Sequence, residues 1–340
     1  MPLTLADAKV GMADKIDQLV IDEFRRDSFI LDKLTFDDAV SPGTGGSTMT
    51  YGYMRLKTPS TAEGRAINGE YKAGEAKKEK ATTDLKIFGG AFEVDRVLEK
   101  TAANSEIQFQ LKEKIKATKN KFHYDFINGK ASKTSTDFDG IDKLVTGSST
   151  ERIPDTAIDL STSEAISENA KDFVLLLDDW LTSFDEKPDA LLVNSRMKTI
   201  LCAVARELKY YSRSEDAFGR KIDNYDGIAI IDMGEYYNGT KNIKVIPVNE
   251  TDGTTDIYAV KFGLDSVHAA SPKGGKIIET YLPDLKAPGA VKKGEVEMIA
   301  GLVLKNTKRA GVYRKVKVNA PASFARTGVG GQARWPLYSH

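Results

Sequence analysis

The chain has 340 residues, in which 49 lysines and arginines balance 49 aspartates and glutamates; this excludes a uniformly basic nucleic-acid reader and leaves only a local face for any such contact. Cys202 is the single cysteine, which excludes an intrachain disulfide framework and a multi-cysteine zinc site and fits a reducing compartment. No apolar run approaches the roughly 20 residues of a membrane span, and no basic segment precedes a hydrophobic one at the N-terminus, so the expectation is a soluble chain with no membrane partner and no Sec-type signal.

Residues 4–24 place Leu5, Ala8, Met12, Ile16, Leu19 and Phe24 at mostly helical spacing, which predicts a short amphipathic helix docked on a partner surface. Ser41 to Ser47 is a Gly-rich break. From Met49 to Lys57 the residues alternate as in a strand, and a return strand is expected from about Thr82 to Val94, with Leu85, Ile87, Phe88, Phe92 and Val94 as its apolar members. Between the two, Thr58 to Lys80 carries nine charged residues and almost no large aliphatic beyond Ile67. Such a tip has no core of its own and must bury its apolar groups against something else, most naturally another copy of the chain.

A long helix is expected from Asn104 to Asn128, with Ser105 and Gln108 as a capping box, Ile107, Leu111, Ile115, Phe122 and Phe126 on one face, and Gly129 as its stop. Its length suits a beam better than a core element. A second compact unit begins near Ser161, where Ser161 and Glu164 fit another capping box and Ile166, Ala170, Phe173, Leu177, Trp180, Leu181 and Phe184 form a helical face. Asp189 to Val193 reads as a buried strand, Ser195 as the cap of a further helix, and Ile228–Ile231 and Ile243–Val248 as short strands, which together predict a mixed α/β unit. Val296 to Leu304 and Val312 to Val318 read as a long hairpin joined through Asn306–Gly311. Past Pro321 periodicity is lost, and a mobile or neighbour-ordered tail is expected.

The chain offers no convincing catalytic constellation and no cofactor or metal site. His123, His268, His340 and Cys202 have no ligand spacing, and packing or surface placement accounts for them. The loops at Gly43–Ser47 and Pro272–Lys276 lack phosphate-loop spacing. Asp37-Asp38 and Asp178-Asp179 are adjacent carboxylates that point in different directions, so solvated faces are the default. The lysines Lys112, Lys114, Lys116, Lys119 and Lys121 either solvate the long helix beside Glu106 and Glu113 or neutralise phosphates without reading bases.

The order of these elements resembles the major capsid protein of tailed bacteriophages, the Johnson fold shared with encapsulins. The resemblance covers roughly residues 1–320. It is carried by the hairpin ending in Phe92-Glu93-Val94-Asp95-Arg96-Val97-Leu98 and the helix after it. Pro188-Asp189-Ala190-Leu191-Leu192-Val193-Asn194, Tyr258-Ala259-Val260-Lys261-Phe262-Gly263 and the late hairpin from Glu295 to Val318 complete it. It implies an α+β subunit with an N-terminal arm (1–47), an extended loop (48–95), a spine helix and first part of a peripheral domain (96–160), an axial domain (161–270), the second part of the peripheral domain (271–320) and a tail (321–340). By the same likeness the chain is a non-enzymatic, self-assembling shell protein of the virion. It forms pentamers and hexamers around double-stranded DNA, is assembled in the bacterial cytoplasm, and has scaffolding, portal and decoration proteins as further partners. The alternative within the fold is an encapsulin-type compartment with a protein cargo. The implied inter-subunit residues are Arg65, Ile67, Tyr71 and Lys72 of the extended loop. Tyr210, Tyr211, Tyr236 and Tyr237 fall in capsomer-axis loops, and Lys112, Lys116 and Lys119 on a DNA-facing spine helix. Only the short arm precedes the loop, so a large cleaved N-terminal scaffold domain is not expected.

Overall fold

The computed structural model describes residues 28–319 apart from 41–45, 47, 59, 72–73, 98–105, 133, 210–211, 216–220 and 273–276. The expected N-terminal helix, most of the Gly-rich break, Ser105 and the tail past Pro321 lie outside the described residues.

The described chain opens with helix α1 (Phe29–Lys33), where Ser28 Oγ accepts the Leu31 amide at 3.2 Å, and strand β1 (Phe36–Asp38). Strands β2 (Thr50–Thr58) and β3 (Lys77–Asp84) pair only with each other, and β4 (Lys86–Asp95) follows at once. Helix α2 (Glu106–Asn128) runs 23 residues, about 35 Å at 1.5 Å per residue. Gly129 ends it: its amide reaches Asp125 O at 2.9 Å, and a Cβ there would sit 2.2 Å from Phe138 O. Then come α3 (Ile141–Val145), β5 (Glu151–Arg152), α4 (Ser163–Leu181), β6 (Ala190–Val193) and α5 (Ser195–Glu207). Strands β7 (Ser212–Glu215), β8 (Lys221–Tyr225), β9 (Ile228–Asp232), β10 (Glu235–Tyr237), β11 (Asn242–Lys244) and β12 (Thr254–Val260) follow. The chain closes with β13 (Val267–Ser271), β14 (Ile278–Tyr281), the long β15 (Val291–Leu304), a 3₁₀ turn (Thr307–Arg309) and β16 (Ala310–Lys317).

Two sheets organise the molecule. The larger has seven strands in the order β5-β16-β12-β6-β9-β8-β7, and both its faces are covered. Leu191, Val193, Ile228, Ile230, Ile257 and Tyr313 pack with Phe173, Leu177, Trp180, Met197 and Leu201 of α4 and α5. Leu192, Ile222, Tyr258, Val260 and Val312 face a second core shared with α2. Burial on both sides is why β6 reads as an unbroken apolar run. In the other sheet β15 is the spine, pairing with β4 along Val291–Ala300, with β14 along Glu295–Met298 and with β13 along Gly301–Leu304. Leu111, Ile115, Phe122 and Phe126 of α2 cover one face of it through Phe88, Phe92, Val296 and Met298.

Three local expectations are corrected. The return strand is two strands: it breaks at Leu85, after which β3 stays with β2 and β4 joins β15, because Leu85 turns inward at 3 % exposure while its amide bonds Met49 O. The late hairpin is not a hairpin: β15 and β16 belong to different sheets. Asn306 explains the switch, since its Oδ1 accepts the Lys308 amide at 2.9 Å and starts the 3₁₀ turn that carries the chain across. The caps also move by one residue, to Thr162, whose Oγ1 takes the Ala165 amide, and to Asn194, whose Oδ1 takes the Met197 amide.

Candidate assembly surfaces

Among the described residues, the β2–β3 hairpin is held at its root. Tyr51, Tyr53 and Ala81 pack with Leu85, Ala270, Val303 and Ile299, on the face of the β13–β15 sheet opposite α2. Two polar ties add direction: Tyr51 donates its hydroxyl to Asp37 Oδ2 at 2.6 Å, and Arg55 Nε donates to Leu304 O at 3.2 Å. Burial first, then the bond to Asp37, pushes the Tyr51 phenol pKa far above its ordinary value. Under the root lies His268, fully buried, edge-on to the Tyr51 ring at 5.8 Å, with neither ring nitrogen partnered. Burial and the Lys305 ammonium lower its pKa to about 4, so the ring is neutral at pH 7.

The distal hairpin has a defined tip without a core. The Arg65 guanidinium lies 5.4 Å from the Tyr71 ring centroid and donates to Gly69 O at 3.2 Å. The Gly69 amide closes the turn on Ala66 O at 3.0 Å, with Asn68 at φ 68°. Ile67 stands at the apex, 93 % exposed, and Tyr71 is also exposed. Arg65, Ile67 and Tyr71 are thus brought together, while Lys72 lies outside the described residues. A turn stapled by an arginine on a tyrosine is partly preorganised, which lowers the entropy cost of docking its apex.

On α2 the lysines divide. Lys112 and Lys116 are exposed, but Lys119 is buried at 9 %, so it cannot serve on an outward DNA face as expected from sequence. It lies on the side of His123, whose ring shares a 2.7 Å hydrogen bond with Ser28 Oγ and whose pKa burial and Lys119 lower to about 3. Lys121 is also engaged, pairing with Asp125 at 2.6 Å and Asp137 at 2.8 Å. Its ammonium sits 5.6 Å from the ring of Tyr236, which stacks near Tyr124 at 5.3 Å. The β10–β11 hairpin is therefore docked on its own helix through Tyr236, and Tyr237 is the tyrosine it exposes. Tyr210 and Tyr211 lie outside the described residues.

Among the described residues no three His, Cys, Asp or Glu side chains gather as a metal site, and no helix is long and apolar enough to cross a membrane. The adjacent carboxylates are not merely solvated: Asp37 holds Tyr51, and Asp178 accepts the Tyr225 hydroxyl at 2.7 Å. The latter lines a cleft of about 720 Å³ with Lys187 and Asp226, which pair with each other. The Cys202 thiol is buried, and burial followed by Asp223 pushes its pKa up.

Sequence reasoning missed one cluster. Arg314 reaches Glu151 at 2.6 Å, Asp142 at 2.8 Å and Asp256 at 3.0 Å, while Tyr258 donates to Asp142 at 3.0 Å. Burial opposes the guanidinium charge, but the bonds from Glu151 and Asp142 outweigh it and raise the Arg314 pKa. The cluster ties α3, just beyond the long helix, to β5, β12 and β16 of the seven-stranded sheet. No sequence signal marks it, because its members are far apart in the chain.

A family model described as the SU10 major capsid protein matches residues 32–317. No curated protein matches the sequence. Among solved structures, the fold is similar to that of the holo-SrpI encapsulin complex from Synechococcus elongatus PCC 7942, at TM-score 0.59 and 13 % identity over 88 % of this chain and 90 % of that one. It is similar as well to Mycobacterium phage Bobi, at TM-score 0.54 and 13 % identity over 86 % and 91 %. The capsid of a native GTA particle gives TM-score 0.53 and 11 % identity over 84 % and 89 %.

Proposed function

The chain belongs to the SU10 major capsid protein family and is a phage shell protein of α+β fold, and from that premise we propose how the subunit closes the shell: by burying on its neighbours the parts it cannot bury on itself. The observation that carries this reading is the β2–β3 hairpin, rooted by Tyr51 and Tyr53 yet ending in a structured tip with Ile67 in open solvent. Ordering such a tip costs about 1–2 kcal/mol per residue in backbone entropy, and docking on a neighbour supplies the missing apolar burial. The arm would wrap in the same way, and the segments around Tyr237 and residues 210–219 would meet other copies around hexamer and pentamer axes. Many modest contacts per subunit then act together.

Lys112 and Lys116 would face the packaged double-stranded DNA and neutralise phosphates without reading sequence. Scaffolding, portal and decoration proteins, and assembly in the host cytoplasm, belong to the same reading. Removing residues 62–78 is expected to leave a folded subunit, since the root packing is untouched, that forms no closed particles by negative-stain electron microscopy. Normal shells from that deletion would refute the wrapping role. Absorbance at 260 and 280 nm on wild-type particles tests the cargo: a protein-only spectrum from intact filled particles would turn the reading towards a compartment with a protein cargo.

A further inference from the structure

Asparagine is followed by glycine three times in the chain, at Asn68-Gly69, Asn128-Gly129 and Asn238-Gly239. In such a pair the glycine nitrogen can close a five-membered ring on the asparagine side-chain carbon, Cγ, and the glycine has no Cβ to hinder it. Whether the two atoms meet depends on what the fold does with the glycine amide and with each end of the side-chain amide. The three pairs differ in this respect.

Asn128 is held at both reacting ends. Its Nδ2 donates to Val245 O at 2.6 Å and to Tyr124 O at 3.3 Å, and the Gly129 amide donates to Asp125 O at 2.9 Å where α2 ends. The nitrogen that would have to leave and the nitrogen that would have to attack are therefore both engaged. Asn68, in the tip of the β2–β3 hairpin, is exposed, but the Gly69 amide closes its turn on Ala66 O at 3.0 Å. Breaking that bond before the ring can form slows the reaction by a few-fold to about tenfold.

Asn238 opens the four-residue loop between Tyr237 of β10 and its partner Asn242 of β11. Residues 238–241 are all exposed. The Asn238 Oδ1 accepts the Thr240 amide at 3.0 Å and the Lys241 amide at 2.9 Å. Two amide donors identify this end of the side chain as the oxygen, and they fold the side chain back over the Gly239 peptide. They also stand where negative charge develops when a nucleophile adds to Cγ, as the donors of an oxyanion hole do. The Tyr237 hydroxyl, donating to Gly239 O at 2.9 Å, steadies the turn through the carbonyl of that residue. Reacting groups held in one geometry in this way react faster than freely rotating ones.

We propose that Asn238 is the preferred site of spontaneous deamidation in this chain. Hydroxide removes the Gly239 amide proton, and the nitrogen attacks Asn238 Cγ. The new N–Cγ bond forms as the Cγ–Nδ2 bond breaks, and ammonia leaves with a proton taken from water. Water then opens the succinimide. Addition at Cγ gives aspartate in an intact main chain, and addition at the main-chain carbonyl carbon gives isoaspartate, in which the chain runs through the former side chain. Either product puts one negative charge beside the exposed Lys241, on a chain whose acids and bases otherwise balance. Aspartate can still accept the Thr240 and Lys241 amides. Isoaspartate lengthens the loop by a carbon and disturbs the bond from the Asn238 amide to Lys241 O, 3.2 Å in the unmodified chain. The fraction of acid at this position therefore records the age of the subunit.

The test uses the folded full chain, held at pH 8 and 37 °C, sampled over days and mapped by tryptic digestion and mass spectrometry against a sample digested at once. The three pairs fall on separate peptides, residues 66–72, 122–130 and 222–241. Conversion at Asn238 is expected to be at least about tenfold faster than at Asn68 and Asn128 in the folded chain, with isoaspartate the larger product. The same peptides incubated free in the same buffer are expected to lose that order. This comparison needs no variant that could fail to fold. Conversion at Asn68 or Asn128 that matches Asn238 in the folded chain overturns the proposal, as does an Asn238 that reacts more slowly in the folded chain than in its free peptide. Asn238→Gln would have to close a larger ring and is expected to leave residues 222–241 unconverted. Continued acid formation in that peptide of the variant would move the reaction to Asn224 and refute the assignment.

Discussion

Replacing Arg314 by Met keeps the stem of the side chain and removes the cation at the centre of the Asp142, Glu151 and Asp256 cluster. The side chains are 18 % exposed for Arg314 and 24 %, 10 % and 28 % for the three acids, so solvent screens the interaction only in part. Taking one partner from a pair this buried costs roughly 3–5 kcal/mol, mainly because the acids are left close together without compensation. For a chain of this size that corresponds to a drop in melting temperature of roughly 4–7 °C, measured by differential scanning fluorimetry or calorimetry. The sharper test also removes charge from the acids that the guanidinium balanced. Asp142→Asn with Glu151→Gln, added to Arg314→Met, should recover part of the stability at pH 7. A drop under about 2 °C, or no recovery in the triple variant, would refute the assignment of the cluster as an electrostatic clamp.

Three further outcomes are expected. Burial, opposed by Lys121 and assisted by Asp137, raises the Asp125 carboxyl to about 6, and its Oδ2 is buried without a partner. A raised acid holds its proton longer in the folded state, so stability should fall by roughly 3 kcal/mol as pH rises from 4 through 6. Asp125→Asn should remove that slope in urea unfolding at the two ends of the window, and an unchanged slope would assign it elsewhere. Gly89→Ala places a Cβ 2.0 Å from Val296 O, where β4 crosses the middle of β15, and should cost at least about 2 kcal/mol in thermal unfolding; a neutral result would mean that the strands part there easily. Lys112→Gln with Lys116→Gln should lower the salt slope of duplex DNA binding by about 0.9 for each phosphate no longer neutralised, and an equal slope would remove α2 from the DNA-facing surface.

The legible parts of the fold were those that a short window decides. The apolar face of the long helix, Leu111, Ile115, Phe122 and Phe126, packs as its spacing implies, and Ala190–Val193 is a strand buried on both sides. Partner choice was not legible. Residues 82–94 read as one return strand, yet Leu85 divides them between two pairings, since strand periodicity specifies the faces of a strand and not its neighbour. Asn306 likewise looks like any hairpin residue until its side chain starts a 3₁₀ turn. For the assembly surfaces, the exposed Ile67 could be read from the charged stretch around it. Lys119 shows the opposite limit: on sequence it is one of five similar lysines, and only its depth beside His123 separates it from Lys112 and Lys116.

The crossing from β15 to β16 explains why the exposed hairpin, and not the body, carries the freedom that assembly needs. β15 lies in the core shared with α2, and β16 sends Val312 to that core and Tyr313 and Val316 to the other. The seven-stranded sheet between them is covered on both faces, so neither core can shift without the other, and close-packed interiors of this kind do not deform gradually. Trp180 Nε1 donating to Thr150 O at 2.9 Å adds a further tie between α4 and the segment entering β5. Beyond Arg55, by contrast, no core residue among those described holds β2 and β3, and the two strands pair with each other. An isolated two-stranded ribbon is marginal in water, so its direction is open to selection by whichever surface it meets. A rigid body with one adaptable arm lets the same chain serve environments that differ in angle, because the difference can be taken up at the Tyr51–Arg55 root while both cores stay intact.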